Sequence, residues 1–463
     1  MLATRMRAQS GLWARSLMNA SRGELLRPIG LSLLLAFLNA SLTFLMFTLV
    51  ARAAGPANFG LIAMVFSGAS FLAVFALAGQ EFLALRSWSE YVQTGRFDLA
   101  RGVMRFGWRI CVVGSAFVAG MGAVLGYALR VDPLLVTCVV AFVIAQMLCL
   151  YSSQLARVVS SVLDGSLHRD ITWKSLVALA ACLGLLSATT FSAELFFGVA
   201  AVGCGLATLL QMRAVCRAMP TPVRSAAPVT DPRTWTPRSV RNWLVSVLEA
   251  SSRFLDVLLI GMFLDPTAAG LYFAASRISS LFAVASDGFN SFSIRRIPEL
   301  YFAGRHVELR RVLKQLAVLT TCATTGGFAA VVLLGPELLR LFDSSYAAHG
   351  EMLLVLAAGS AFSSLIGPVP SILLLLGHES AYLVRMSAGL LARAACIVVF
   401  GALGGPFAAA AGVAASTMGV ALVLLITCRR LTGLDPSPLA LFRSAPNHTL
   451  NPQVFQGHRV PRD

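Results

Sequence analysis

Runs of about twenty apolar residues recur along the whole chain, separated by short polar connections. An α-helix rises about 1.5 Å per residue, so a run of this length crosses a hydrocarbon core about 30 Å thick. The pattern therefore predicts an all-α polytopic membrane protein. About twelve transmembrane helices are expected, at residues 29–52, 58–84, 107–130, 134–163, 172–190, 193–216, 240–264, 269–292, 313–335, 350–377, 381–403 and 406–427.

Composition supports this fold class. Of the 463 residues, 57% are apolar and 13% are charged, and the mean hydropathy is +0.77. A soluble domain carries about 25% charged residues. Half that fraction leaves too little polar surface to cover a water-exposed globule, so lipid must solvate much of the molecule.

The net charge is +16, and its distribution predicts the topology. Connections on one side hold only Arg52, Arg130 and Arg340. This asymmetry is the positive-inside pattern, and it predicts a multi-pass protein of a bacterial inner membrane with both termini cytoplasmic. Since topology accounts for the charge, no nucleic-acid partner is expected. The other basic residues gather in the amino-terminal segment, in alternate connections and in the tail, among them Arg5, Arg15, Arg86, Arg96, Arg101, Arg157, Arg213, Arg305, Arg311 and Arg429.

Signals for an enzyme, a metal site or a cofactor are missing from the sequence. The nine cysteines form no C-x-x-C pair, which favours small buried apolar side chains over a disulfide framework or a metal site. Neither a phosphate-binding G-x-x-x-x-G-K-[ST] loop nor a G-x-G-x-x-G, H-E-x-x-H or G-x-S-x-G motif occurs. We therefore expect no cofactor and no catalytic residues.

A proline-rich polar break, Met219–Arg241, divides the chain into two similar halves. The segment Gly55–Leu61 opens the second predicted span, and Asp265–Leu271 opens the eighth at an offset of 210 residues. The predicted organisation is a basic amino-terminal segment, an amino-terminal lobe of six helices, a linker, a carboxy-terminal lobe of six helices and a tail, at residues 1–28, 29–218, 219–239, 240–428 and 429–463.

An even number of spans in each half gives both repeats the same orientation in the membrane. Such repeats are related by a pseudo-two-fold axis along the membrane normal, with a cavity between two bundles. This arrangement is typical of alternating-access transporters.

Several motifs, taken in order, resemble those of the Wzx-type polysaccharide flippases of the multidrug/oligosaccharidyl-lipid/polysaccharide (MOP) exporter superfamily. The resemblance covers roughly residues 25–430. Its motifs are Phe47-x-x-x-x-Arg52-x-x-Gly55-Pro56-x-x-Phe59-Gly60-Leu61, the segment Gly335–Phe342, the segment Leu376–Glu379, and the segment Gly404–Ala410.

The resemblance implies two six-helix lobes forming a V. It also implies translocation of an undecaprenyl-pyrophosphate-linked oligosaccharide to the periplasm, without ATP hydrolysis and with an ion gradient as a candidate driving force. Lipid-linked oligosaccharide and membrane lipids are then the expected partners, with a polysaccharide polymerase and a chain-length regulator as further candidates. The related peptidoglycan-precursor flippases usually carry fourteen spans, so twelve favours a polysaccharide unit.

Charged residues within predicted spans are the candidate substrate site, because charge at membrane depth is costly and usually faces a cavity or a partner. Glu249, Arg253 and Asp256 are spaced to form one stripe of the seventh helix, and Arg277 lies in the eighth. Two guanidiniums near the bilayer midplane suit a pyrophosphate. The alternative is an ion-pair network that only joins two helices. In the repeat, Glu249 and Arg253 correspond to Asn39 and Thr43, which places the charge in the second lobe.

Two carboxylates, Glu81 and Asp287, are candidates for ion coupling, although pairing with Arg86 or Arg295 is the commoner role of such residues. Arg157 and Arg393 are further candidates for the cavity wall. Two other functions stay open: a cation-coupled exporter of small cationic drugs from the same superfamily, and a non-transporting scaffold of a glycan-assembly complex.

Overall fold

The computed structural model describes residues 22–187, 189–282, 297, 300–301 and 304–439. The described residues form helices joined by short connections. In chain order the α-helices are α1 Arg22–Ala76, α2 Gln80–Gln93, α3 Phe97–Ala128, α4 Pro133–Val159, α5 Val162–Leu167, α6 Trp173–Leu186, α7 Ala193–Ala218, α8 Thr221–Ser225, α9 Pro232–Phe263, α10 Pro266–Ser279, α11 His306–Arg340, α12 Gly350–Leu365, α13 Val369–Leu375 and α14 Glu379–Thr432. A π-helical segment, His168–Thr172, joins α5 to α6, and a 3-10 helix, Ser344–His349, precedes α12.

The long helices run back and forth between two ends of the molecule. We call the end that holds residues 219–231 the linker side, and the end that holds the connections after α3, α6 and α9 the turn side. An aspartate caps the start of α4, of α9 and of α10, with its carboxylate accepting a backbone N–H bond and a proline following it. Aspartate is a preferred cap and proline suits the first helical position, so the local sequence determines where these three helices begin.

Two of the helices, α1 and α14, are long enough to cross a membrane twice and are bent in the middle. The bend in α1 lies at Gly55, with φ 74°, and the bend in α14 lies at Gly404 and Gly405, with φ 69° at Gly405. Positive φ is the conformation that glycine adopts without steric cost. Each bend therefore replaces a loop between two predicted spans.

The predicted spans lie on these helices, with four differences in detail. The second span is broken, since α1 ends at Ala76 and α2 begins at Gln80. The predicted connection 164–171 is helical, so the fifth span is a continuous run from Val162 to Leu186. The third span begins ten residues earlier than expected, and α9 begins inside the predicted linker. Residues 283–292 of the eighth span lie outside the described residues.

By length and composition alone, six of the described helices could cross a membrane, or seven if the bent pair 344–365 and 369–375 counts as one span. Two of the six are the bent helices α1 and α14, each of which holds two predicted spans. The seventh predicted span, which lies on α9, is not among the six because α9 carries several charged residues. The fifth is interrupted by the π-helical segment, and the eighth is described only in part.

The two lobes meet at the turn side. A Cβ atom at Gly60 would lie 1.9 Å from the Pro266 carbonyl oxygen, and one at Gly270 would lie 2.9 Å from the Cα atom of Gly60. Gly60 and Gly270 are equivalent residues of the two repeats. Since a residue can touch its own equivalent only where the symmetry axis passes, this contact marks the pseudo-two-fold axis. Small residues allow helices in lipid to approach this closely.

Aromatic and polar contacts surround this glycine contact. The ring centroids of Phe47 in α1 and Phe273 in α10 are 4.7 Å apart, and those of Phe59 and Phe342 are 6.2 Å apart. Arg52 donates from Nε to the carbonyl oxygen of Leu341 at 2.6 Å. Two of the family-like motifs, Phe47–Leu61 and Gly335–Phe342, thus meet across the lobes.

A second contact between the lobes joins α9 to the break between α1 and α2 at the linker side. Ser239 donates to the carbonyl oxygen of Ala78 at 2.6 Å, and the Trp243 indole donates to that of Phe75 at 2.9 Å. Gly79 has φ 73°, and a Cβ atom there would lie 2.5 Å from the Ser239 carbonyl oxygen. The freed backbone groups at this break are satisfied by α9, as a broken helix in a membrane requires.

Replacing Gly60 by Ala is expected to separate the lobes at the turn side and to destabilise the protein by roughly 1–3 kcal/mol, because the added methyl group overlaps the Pro266 backbone. The measurement is the midpoint of unfolding in detergent. Gly120→Ala is the matched control, since Gly120 lies in α3 and no heavy atom is within 4 Å of its Cβ position. Equal midpoints for the two variants would contradict the role of this contact.

Candidate functional site

Three cationic side chains lie at the same depth in the bundle. Arg253 and Arg277 are each twelve residues from Asp265, and Lys174 is twelve residues from Leu186. At 1.5 Å per residue, each is about 18 Å from the turn-side end of its helix. Lys174 bonds to Thr43, Arg277 lies over Phe47 one turn later on the same face of α1, and Arg253 is near enough to Arg277 for their charges to interact. We call Lys174, Arg253 and Arg277 the central cationic cluster.

Lys174 belongs to the amino-terminal lobe and is buried. Its ammonium group donates to the side-chain oxygen of Asn39 and, at 2.9 Å, to the hydroxyl of Thr43. The Thr43 hydroxyl donates in turn to the Asn39 carbonyl oxygen at 2.6 Å, so it is oriented to accept from the lysine. An ammonium group has three N–H donors, and these two acceptors leave one for a ligand.

Arg277 belongs to the carboxy-terminal lobe and packs on aromatic rings. The central carbon of its guanidinium is 4.5 Å from the ring centroid of Phe273 and 5.9 Å from that of Phe47 in the other lobe. No described carboxylate lies within salt-bridge distance of Arg277, and its buried Nε has no hydrogen-bond partner among the described residues. Cation–π contacts stabilise the charge only in part, because they leave its donors unused.

Arg253 and Glu249 form a loose pair at 3.6 Å on α9. The side chains are 70% and 42% exposed, respectively, which makes Arg253 the most accessible member of the cluster. An exposed pair of this kind contributes about 0–1 kcal/mol, so an anionic ligand can displace the glutamate at low cost.

The structure separates Asp256 from the stripe that the sequence predicts. Asp256 is buried and pairs with Arg393 of α14 at 2.5 Å, and the Tyr272 hydroxyl donates to it at 2.9 Å. Arg393, a candidate for the cavity wall, is therefore neutralised inside the carboxy-terminal lobe. The four charged residues proposed together as a network are thus divided: Glu249 pairs with Arg253, Asp256 pairs with Arg393, and Arg277 has no described carboxylate partner.

The coupling candidate Glu81 lies at the start of α2, in the second contact between the lobes. Ser246 of α9 donates to its Oε1 at 2.8 Å, and its buried Oε2 has no hydrogen-bond partner among the described residues. Arg86, the partner suggested by the sequence, makes no described bond to it. The other coupling candidate, Asp287, lies outside the described residues, as does Arg295.

Lys174 is the member of the cluster that sequence reasoning missed. The sequence places Lys174 at the start of the fifth predicted span, 172–190, beside the basic connection that precedes it. The helix actually begins at Val162, which moves Lys174 from the end of the span to its middle. The repeat predicts that charge is concentrated in the second lobe, and the structure adds Lys174, a cation of the first lobe that Asn39 and Thr43 hold. Lys174 and Lys314 are the lysines of a chain whose other basic residues are arginine, and this rarity was the available signal.

The cluster is suited to binding an anion. Guanidinium and ammonium groups donate several hydrogen bonds to phosphate oxygens, and away from water such bonds are stronger than those between neutral groups. Among the described residues, no group of three or more His, Cys, Asp or Glu side chains is arranged to hold a metal ion. The donors of the cluster are all cationic, which is the donor chemistry of an anion site.

Sequence comparison gives one short match to a flippase. No family model matches the chain. Over 116 residues it is 26% identical to "Probable flippase AglR" of Haloferax volcanii, and the aligned part is 25% of this chain and 24% of that protein. The match therefore spans about a quarter of the length of that relative.

Solved structures resemble the chain over almost its whole length. An inward-facing multidrug resistance MATE family transporter of the MOP superfamily has a TM-score of 0.67 at 11% identity, covering 89% of this chain and all of that one (100%). A MOP superfamily transporter from Pyrococcus furiosus, described by the reverse polarity of its binding pocket, has a TM-score of 0.61 at 11% identity, covering 90% and 97%. A MATE transporter in its straight conformation has a TM-score of 0.60 at 12% identity, covering 90% and 98%.

These comparisons establish the fold. The chain has the all-helical, two-lobe membrane fold of the MOP superfamily transporters, as the sequence predicted. The central cationic cluster lies between the two lobes of that fold.

Replacing Asp256 by Ala is expected to destabilise the protein by about 3–5 kcal/mol, because the Arg393 guanidinium is then buried without a counter-charge. The unfolding midpoint in detergent measures this. The double variant Asp256→Leu/Arg393→Met should recover most of the loss, since it removes both charges. Glu337→Ala is the control: its pair with Arg340 is more than half exposed and should contribute about 0–1 kcal/mol. If Asp256→Ala lowers the unfolding midpoint no more than Glu337→Ala does, the role of the Asp256–Arg393 pair is contradicted.

Proposed function

We propose that the protein translocates a lipid-linked oligosaccharide, carried on undecaprenyl pyrophosphate, from the cytoplasmic to the periplasmic leaflet of a bacterial inner membrane. The product would supply exopolysaccharide, capsule or O-antigen synthesis. The observation that carries this proposal is the central cationic cluster, to which each lobe contributes a cation at the same depth. The short match to a flippase supports the same class of cargo.

A pyrophosphate fits the cluster in charge and in hydrogen bonding. Lys174 retains one free donor, and the Arg277 guanidinium donates to no described residue, so both can bond to phosphate oxygens without losing protein contacts. The ligand would also relieve the repulsion between the two cations, which neutral sugars alone could not do. The pyrophosphate is thus the part of the cargo that the site recognises.

Contacts between the lobes lie on both sides of the cluster, and those at the turn side are one set. Gly60, Phe59 and Arg52 hold the lobes together there. With both termini cytoplasmic, as the arginine distribution predicts, the turn side is periplasmic. The lobes are then joined on the periplasmic side of the cluster by these contacts and on its cytoplasmic side by Ser239 and Trp243 of α9, so loading of the substrate requires the linker-side contact to open.

A multidrug exporter with the same fold is the second candidate, favoured by the MATE structures of similar shape. An exporter of cationic drugs needs acidic groups facing its ligand. Of the described carboxylates near the cluster, Glu249 is paired with Arg253, Asp256 with Arg393 and Asp170 with Arg169. Because these carboxylates are paired while Lys174 and Arg277 have no described carboxylate partner, the site favours an anionic cargo. A non-transporting scaffold would not require unpaired cations between its lobes.

Replacing Arg277 or Lys174 by Ala should reduce the affinity for cargo by about 10- to 100-fold, because each variant removes a charge-assisted hydrogen bond of about 1.5–3 kcal/mol. The measurement is the transfer of a pyrophosphate-linked lipid oligosaccharide across proteoliposomes that contain the purified protein. Complementation of surface polysaccharide in a deletion strain provides an independent readout.

Arg310→Ala and Lys314→Ala are the matched controls, since both side chains are exposed at the start of α11. Normal transfer by both cluster variants would overturn the site. The exporter would be established instead if the protein transports a cationic dye and does not transfer the lipid oligosaccharide. This outcome does not depend on whether the cluster variants still transport the dye.

Glu81 is the proposed coupling residue. Its carboxylate is shared between the lobes through Ser246, has one oxygen without a described partner and lies near the Glu249 carboxylate, which repels it. A group that bridges two moving lobes can bind a proton in one conformation and release it in the other. Glu81 would in this way connect an ion gradient to lobe movement.

Glu81→Gln, which keeps the acceptor for Ser246 but cannot exchange a proton, should leave downhill transfer intact and remove its acceleration by a pH gradient. Proteoliposomes with and without an imposed gradient measure both rates. Glu308→Gln is the control, because its carboxylate is exposed and pairs locally with Arg305. A variant that responds to the gradient as strongly as the control would contradict the coupling role.

A further inference from the structure

The linker between the lobes is folded onto the amino-terminal lobe. Arg101 of α3 donates to the carbonyl oxygen of Ala226 at 2.7 Å, and the Val229 amide donates to that of Asp98 at 3.2 Å. Val223 of α8 is buried, and a Cβ atom at Gly102 would lie 1.8 Å from the Val229 carbonyl oxygen. The linker therefore forms part of the wall of this lobe at the linker side.

A cavity of about 240 Å³ lies between α3, the end of α7 and the linker helix α8. Its wall combines basic and apolar side chains, which are Arg101, Arg105, Arg224, Trp108, Met104 and Met219. Among the described residues, none of the three arginines has a carboxylate within 4 Å, whereas seven other cations of the chain do. Three neighbouring positive charges repel each other, and an anion between them would remove that cost.

Exposed apolar side chains of α3 and α7 continue from this cavity toward the turn side. Both α3 and α7 flank α4, and Trp108 is fixed by an edge-to-face contact with Tyr151 of α4 at 5.1 Å. Val112 lies one helical turn beyond Trp108 on the same face of α3, and Leu209 lies two turns before Cys216 on the cavity face of α7. Val112 is 69% exposed and Leu209 is 65% exposed. Such exposure on two helices that flank a third suits an acyl chain.

We propose that this cavity binds the phosphate head group of an anionic phospholipid, whose acyl chains lie along the exposed apolar side chains of α3 and α7. Arginines at the end of a membrane helix lie at the depth of lipid phosphates, and Trp108 lies where tryptophan prefers the interface. The site is separate from the central cationic cluster and does not depend on its cargo. A bound lipid would fasten the linker, through Arg224 of α8, to the amino-terminal lobe.

The test measures lipid binding to the full chain, purified in detergent, by native mass spectrometry and by the shift in its unfolding midpoint. Phosphatidylglycerol is compared with phosphatidylcholine of the same acyl chains and with glycerol phosphate, which has the head group but no chains. The test variant is Arg105→Ala/Arg224→Ala, which leaves Arg101 to hold the linker. Arg310→Ala/Arg311→Ala is the control, since it removes the same charge from the same side of the other lobe.

Phosphatidylglycerol should bind the test variant roughly 30-fold more weakly than the wild type, because each arginine near lipid phosphate contributes about 1 kcal/mol. The control should bind within about 3-fold of the wild type. Equal binding of phosphatidylcholine, equally tight binding of glycerol phosphate, or an equal loss in the control would each overturn the proposal. Glycerol phosphate binding would assign the cavity to a free phosphate ester instead.

Discussion

Hydrocarbon cannot hydrate a charged side chain, so each charge at membrane depth must be stabilised by the protein itself. The chain meets this requirement in three ways. Asp256 neutralises Arg393, neutral oxygens of Asn39 and Thr43 hold Lys174, and among the described residues aromatic faces accompany Arg277 without a carboxylate. The degree of stabilisation falls in that order. Lys174 and Arg277 have no described carboxylate partner and face the region between the lobes, whereas Asp256 and Arg393 neutralise each other, which is why the first two belong to the candidate site.

Each lobe contributes one cation to that site, and the two cations are held in place by different interactions. Lys174 is fixed by hydrogen bonds within the amino-terminal lobe, whereas Arg277 is fixed by packing against Phe273 and Phe47. A ligand bound to both cations is therefore sensitive to any relative movement of the lobes. Such dependence is what alternating access requires, because affinity must differ between the loading and releasing states.

The repeat is most symmetric at the lobe contact and least symmetric at the site. Gly60 and Gly270 occupy equivalent positions and touch, since close helix approach at the axis tolerates only small residues. Twelve residues before the bend and the turn, the same repeat places Thr43 in one lobe and Arg253 in the other. Shared geometry is thus kept where the lobes pack, and the residues diverge at the candidate site.

The sequence by itself determined the fold class, the order of the spans and the repeat, because hydropathy and the Asp-Pro helix starts are local properties. It also identified Arg253 and Arg277, whose charge is conspicuous within apolar runs. Only the tertiary structure decided which charges remain unpaired. Glu249 and Asp256 are two turns apart on one face of α9, yet one lies open and the other meets Arg393, since the helices packed beside them differ. The position of Lys174 depended on a π-helical segment that apolar periodicity does not reveal, and its partners come from α1, more than 130 residues earlier.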